Sequence, residues 1–284
     1  MSRLSLVCLS LLLMFAVPAT ARGMAPIPAA ELQKLLASQH LAGATWSLVD
    51  GDDVQTGAAG VRDMARGTAM RAGDRVHIGS ITKTLVALGL LRLASEGRVD
   101  LDAPVSTVIP ELRFRNPWDK TDPVRIRHLL DHSSGLEDAR LWQMFSTRVS
   151  PADPLLAAFT RDPSVLDIRT RPGERTSYSN MGYALAGLVI ERVTGVRYER
   201  WLDAHLLGPL GMTDSSFGFV SQLGPGRDAR LAWGHHDDLT PAAAMPIALR
   251  PAGQFTTTAR DMATFARFLM SDGRVGGAPF VRAD

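Results

Sequence analysis

Two pairs of side chains carry the chemistry this sequence offers. The first is Ser80 and Lys83, followed by an almost continuous apolar surface in Leu85, Val86, Ala87, Leu88, Leu91, Leu93 and Ala94. That spacing predicts a buried helix, closed where Gly97 supplies a left-handed residue. Positions three apart share a helix face, so Ser80 and Lys83 are expected to point the same way, with the hydroxyl near the positive end of the helix dipole. A serine hydroxyl is a poor nucleophile until a neighbouring base takes its proton. A lysine can be that base once burial and nearby positive charge disfavour its charged form. Moving a lysine from about 10.4 to about 7 costs roughly 4.6 kcal/mol, a strain that a purely structural helix has no reason to carry. With three lysines and nineteen serines in the chain, chance gives only about 0.2 Ser-x-x-Lys pairs.

The second pair is Tyr178 and Asn180, in Ser177-Tyr178-Ser179-Asn180. Three tyrosines and two asparagines give about 0.02 Tyr-x-Asn pairs by chance, so this is the sharper signal. A phenol beside an ammonium is easier to ionise, and the tyrosinate can take a serine's proton and later hand it to a leaving group. An asparagine amide can hold the lysine and orient a substrate carbonyl without changing charge. A tyrosine merely packed at a helix start, with Asn180 as the N-cap, is the other reading of the same residues, and Asn180 can serve both purposes.

These residues need elements to place them. Leu32, Leu35, Leu36 and Leu41 predict a first amphipathic helix over 29–41. Residues 44–49 and 54–61 flank Asp50-Gly51, a hairpin signal, and the two strands lead the chain toward Ser80. A short helix is expected over 125–130, breaking at Ser133-Ser134-Gly135. A helix interrupted by Pro151 and Pro154 is expected over 140–159, and Pro172-Gly173-Glu174 reads as a turn. Further helices are expected over 181–194, ending at Gly195, over 198–207, stopped by Gly208-Pro209, and over 258–270 with Met262, Phe265, Phe268 and Leu269 on one face. Strands first and helices after make the fold class α+β, with a sheet part at 41–76 and a mostly helical part at about 77–250.

Composition narrows the function. Arg3, the apolar run from Leu4 to Val17 and Ala19-Thr20-Ala21 have the three parts of a secretory signal peptide, so cleavage is expected after Ala21. The run is too short for a stable anchor, and a periplasmic or secreted location follows. Cleavage removes the only cysteine, Cys8, which excludes thiol chemistry and cysteine-based zinc sites in residues 22–284. A formal net charge of +2, with scattered arginines, argues against nucleic acid as a partner. His128 and His132 flank Asp131 but lack the Glu of a His-Glu-x-x-His site, and His235-His236-Asp237-Asp238 reads as a solvated loop. No metal or other cofactor is expected. No Gly-x-Ser-x-Gly elbow is present, which argues against an α/β-hydrolase triad.

Six runs in order resemble the serine β-lactamase and penicillin-binding protein family, nearest to class C β-lactamases, their esterase relatives and D-alanyl-D-alanine carboxypeptidases. They are Ile78-Gly79-Ser80-Ile81-Thr82-Lys83, Glu96-Gly97-Arg98-Val99-Asp100-Leu101, residues 126–136 (Ile126 to Leu136), Pro172-Gly173-Glu174 with Tyr178-Ser179-Asn180, Pro209-Leu210-Gly211-Met212, and Pro251-Ala252-Gly253 with Ala259-Arg260-Asp261. The resemblance implies a β-lactamase/transpeptidase-like fold, an antiparallel sheet flanked by helices beside a mostly helical lobe. It implies Ser80 as the acylated nucleophile, its backbone amide as an oxyanion donor, Lys83 and Tyr178 as the proton-handling pair and Asn180 as the substrate-orienting amide. The substrate it implies is a small ester, a β-lactam or a D-alanyl peptide. The family carries a third motif, Lys-Thr-Gly or His-x-Gly, on a later strand that gives the second oxyanion donor, and no such triplet follows Asn180. The C-terminal strands are therefore expected beyond Asp284, the sequence is expected to be truncated, and residues 22–284 alone are expected to be weakly active or inactive and poorly soluble. The rival reading is a non-catalytic cell-wall-binding or sensor homologue, which would need neither Lys83 nor Tyr178.

Overall fold

A computed structural model describes residues 27–145, 148–224 and 226–282; the expected signal segment, 1–21, lies outside the described residues. Helix α1 (Ala29–Ser38) leads into an antiparallel hairpin of β1 (Gly43–Asp50) and β2 (Asp53–Asp63), with β3 (Thr68–Ala69) on the far side of β2. Register runs unbroken from Gly43 opposite Gly60 to Asp50 opposite Asp53, so Gly51 and Asp52 form a two-residue turn. From there the chain passes through β4 (Val76–His77), α2 (Thr82–Ser95), α3 (Val105–Val108), α4 (Ile126–Leu130), α5 (Leu141–Met144), α6 (Ala157–Thr160), α7 (Asn180–Thr194), α8 (Tyr198–Leu202) and α9 (Gly208–Leu210). Short strand pairs, β5 (Gly234–His235) with β6 (Pro241–Ala242) and β8 (Arg274–Val275) with β9 (Ala278–Pro279), lie on either side of β7 (Thr256–Thr257) and α10 (Ala259–Met270) in the chain. β7 returns to pair with β4, joining residues far apart in sequence.

The core forms around two helices without a polar face. α7 is buried at every position from Asn180 to Ile190, and α2 buries Leu85, Val86, Leu90 and Leu93. A helix apolar on all sides has to sit inside. α7 therefore packs on α2, α4, α8 and the Arg250–Ala252 turn. The last contact is close, since a methyl group at Gly187 would stand 2.3 Å from Pro251 Cγ. α10 lays its apolar face on the β1–β2 hairpin, buries Phe265 and Phe268, and is capped by the Thr258 hydroxyl accepting from the Asp261 N–H at 3.2 Å.

Three expectations are corrected. Among the described residues of 140–159 the helical ones lie in α5 and α6, a wider break than the one expected at Pro151 and Pro154. Phe145 instead bridges to Ile247, and the Ala248 N–H donates to the Met144 carbonyl at 3.0 Å. Gly208-Pro209 does not stop the helix after α8. A wide turn at Asp203–Leu207 passes into α9, whose first turn has no use for the N–H that Pro209 lacks, and the left-handed stop is Gly211 at φ +74°. The N-cap of α7 is Ser179, whose hydroxyl accepts from the Gly182 N–H at 3.1 Å; Asn180 is already the first helical residue. Among the described residues no helix is long and apolar enough to cross a membrane.

Candidate active site

Ser80 stands where a strand ends and a helix begins. The Ile78 N–H donates to the Phe255 carbonyl at 3.2 Å, continuing the β4–β7 pairing. Gly79 then turns the chain at φ +53°, a conformation that a side chain would strain, and Ser80 lies in the tight 3-10 turn Gly79–Ile81 ahead of α2. Thr82 locks that turn. Fully buried, it donates its hydroxyl to the Gly79 carbonyl at 2.6 Å and accepts the Phe255 N–H at 3.2 Å. One position on, Lys83 is only 5% exposed; its Nζ donates to Ser80 Oγ at 3.0 Å and to the Ala252 carbonyl at 2.7 Å.

Tyr178 reaches the same oxygen from the other side, its hydroxyl donating to Ser80 Oγ at 2.8 Å. The Lys83 Nζ lies 4.8 Å from the centre of the Tyr178 ring, within the reach of a cation–π contact. Three side-chain tips from two distant segments thus meet at one hydroxyl. Both Ser80 and Tyr178 are exposed, so that hydroxyl opens to solvent. Beside it lies a cleft of about 360 Å³ whose lining includes Met144, Phe145, Met245 and Ile247 along with Ser80 and Asn180. The backbone bridge between Phe145 and Ile247 holds the two loops of this apolar wall together.

Asn180 lies in that lining but is not bonded to Lys83, contrary to one of the roles its position suggested. Its Nδ2 donates to both oxygens of the Asp138 carboxylate, at 3.0 and 2.9 Å, and its backbone N–H donates to Asp138 Oδ1 at 2.7 Å. The lysine is held instead by the Ala252 carbonyl. In the same turn, two residues earlier, Arg250 Nε donates to Glu199 Oε1 at 2.7 Å, and Arg250 is 1% exposed.

The two histidines set aside as metal ligands have other partners. His128 Nδ1 accepts the Arg125 N–H at 3.2 Å, and His132 Nδ1 accepts the Ser179 N–H at 3.1 Å. Burial holds the His132 ring below the usual histidine range, with the Lys83 charge acting the same way and Asp131 and Asp138 opposing. The neighbouring Tyr183 phenol is pushed up by burial and donates to the Leu130 carbonyl at 2.9 Å. Sequence reasoning missed the parts played by Thr82, Ala252, Asp138 and His132. Three of them sat inside runs already singled out, at 78–83, 251–253 and 126–136; nothing in the sequence pointed to Asp138.

Comparison with known proteins identifies the architecture. The chain superposes with a TM-score of 0.70 on the octameric penicillin-binding protein homologue from Pyrococcus abyssi, at 26% identity over 87% of this chain and 57% of that one. It superposes equally well, TM-score 0.70, on a class C β-lactamase at 20% identity, covering 87% of this chain and 64% of that one. The fold is therefore β-lactamase/transpeptidase-like. The Beta-lactamase family model matches residues 29–282, and this chain belongs to that family. It is 36% identical to Esterase EstB of Burkholderia gladioli over 187 residues, 63% of this chain and 46% of that protein. The chain thus spans about half the length of that relative.

Proposed function

We propose that this protein is an exported serine hydrolase that cleaves small carboxylic esters with an apolar acyl group through an acyl-enzyme on Ser80. One observation carries the reading: Lys83 and Tyr178 both bond Ser80 Oγ, at 3.0 and 2.8 Å, at the mouth of an apolar cleft. In the reacting form Tyr178 is the phenolate, which takes the Ser80 proton across the 2.8 Å contact, while the Lys83 ammonium keeps its protons and balances the phenolate charge. Oγ bonds to the ester carbonyl carbon, and the resulting oxyanion meets the Ser80 N–H, one of the first-turn donors a helix leaves unpaired. Collapse breaks the bond to the leaving alkoxide, which takes the relayed proton and departs as the alcohol. Water then attacks the acyl carbon, gives its proton back through the same relay, and releases the acid and Ser80.

An ester is favoured over a β-lactam or a D-alanyl peptide because the wall formed by Met144, Phe145, Met245 and Ile247 suits an apolar acyl chain. The 36% identity to Esterase EstB supports the same choice. The test is to give the full-length protein a nitrophenyl butyrate, nitrocefin and a D-alanyl-D-alanine peptide side by side, with Ser80→Ala as control. Ester turnover that is lost in Ser80→Ala, with a fluorophosphonate adduct on Ser80, is the expected result. Turnover of nitrocefin or the peptide alone would overturn the substrate, and no Ser80 adduct would favour a binding protein. Export belongs to the same proposal, and the mature protein should begin at Arg22 by N-terminal sequencing.

A further inference from the structure

His132 grips Tyr178 from both sides. It follows the Asp131 cap of α4 and adopts the left-handed conformation at φ +61°, which a non-glycine residue holds only when its surroundings impose it. The Asp131 carboxylate fixes the turn by accepting from the Ser133 N–H at 2.9 Å and the Ser133 hydroxyl at 2.5 Å. In that posture the His132 carbonyl accepts the Ser177 N–H at 2.8 Å while its Nδ1 accepts the Ser179 N–H at 3.1 Å. Those two amides flank Tyr178. The imidazole also lies against the phenol ring, centroids 4.6 Å apart at 32°, with Tyr183 on it at 5.2 Å. Tyr178 is 48% exposed and its hydroxyl bonds Ser80 Oγ.

We propose that His132 is a positioning residue for the Ser80 reaction, holding the Tyr178 phenol in line with Ser80 Oγ through the amides on either side of it. The proposal rests on the Ser80 reading above. It also makes the site sensitive to pH. Only an unprotonated Nδ1 can accept the Ser179 N–H, so adding a proton to the ring releases half of the grip. The groups that face the ring are Lys83 from α2, Asp131 beside it, Asp138 from the following loop, Tyr178 and Tyr183. Burial and Lys83 outweigh the two carboxylates, so the grip holds at neutral pH and is released in acid.

The test compares His132→Leu and His132→Asn in the full-length protein on a nitrophenyl ester, with rates divided by the number of Ser80 sites titrated with a fluorophosphonate. Asn tolerates the left-handed backbone and offers an amide oxygen near the position of Nδ1 without titrating. His132→Leu is expected to lower kcat per titrated site by about 10- to 100-fold with KM within about twofold, the pattern of lost alignment. His132→Asn is expected to recover most of that rate and to lose the acid limb of the kcat profile. A purely structural role would reduce the number of titratable sites and leave the rate per site unchanged, which would overturn the proposal. So would an Asn variant that keeps the wild-type acid limb, a result readable even where the Leu variant fails to fold. A wild-type protein with no Ser80 adduct would instead sink the reading on which this rests.

Discussion

The proposed reaction asks two things of one Ser80 oxygen, to lose a proton and to bear charge as it attacks. The geometry separates the tasks. Lys83, at 5% exposure and anchored on the Ala252 carbonyl, is a fixed cationic donor, whereas Tyr178 sits at the solvent edge with its oxygen 2.8 Å from Oγ. Removing the phenol oxygen alone should therefore remove the proton path while leaving the ring against His132. Tyr178→Phe is expected to lower kcat on the ester by about 10²- to 10⁴-fold, the usual range for a lost acid–base group, with a melting temperature close to wild type. Steady-state kinetics and a thermal melt on the same sample check both halves. A variant that melted early and kept its kcat would place Tyr178 among the packing residues.

At the scale of elements, the site depends on a contact between α7 and the Arg250–Ala252 turn. Gly187 lets Pro251 close on the helix, and Ala252 then meets Lys83. A methyl group at position 187 would stand 2.3 Å from Pro251 Cγ and 2.8 Å from its Cβ, and a proline ring cannot swing aside as a leucine end can. Gly187→Ala should push the turn outward, cost about 1–3 kcal/mol of stability and lengthen the Lys83 anchor. The expected outcome is a lower melting temperature together with slower acylation of Ser80 by fluorophosphonate. Gly89 is the internal control. A methyl there meets the flexible end of Leu202 at 2.2 Å, so Gly89→Ala should cost some stability but leave the acylation rate of the folded protein unchanged. Equal acylation in Gly187→Ala and wild type would disconnect the turn from the site.

For the whole molecule, the last turn of α7 holds a charge the fold disfavours. Burial, the largest influence, raises the Glu191 carboxyl above its ordinary value of 4.5, although its Oε1 accepts the Tyr198 N–H at 3.3 Å. The folded state thus binds this proton more tightly than the unfolded chain. The stability it contributes is complete below pH 4.5 and is lost as pH rises through the folded value. Glu191→Gln keeps the acceptor and has no proton to lose. The melting temperatures of the two proteins should differ by a constant amount below pH 4.5, and the gap should widen in favour of Gln above it. A difference independent of pH from 3 to 8 would show that Glu191 is not strained by its surroundings.

Much of this protein was legible in its sequence because local rules sufficed. The three-residue spacing brought Ser80 to Lys83 across the step from a 3-10 turn into α2, although the two do not share one α-helix, apolar residues on every side of 181–194 required burial, and the Asp50-Gly51 region closed a hairpin. The interrupted helix expected over 140–159 came out shorter for the opposite reason, since a bridge from Phe145 to Ile247 competes with local propensity and cannot be read from either segment alone. Residue types and their near spacing thus determined the Ser80–Lys83 contact, the helices beside it and the family motifs. Only the tertiary structure decided that Ala252 anchors the lysine, that Asp138 occupies the Asn180 amide and that His132 spans Tyr178, because each joins groups whose separation in the chain carries no periodic signal.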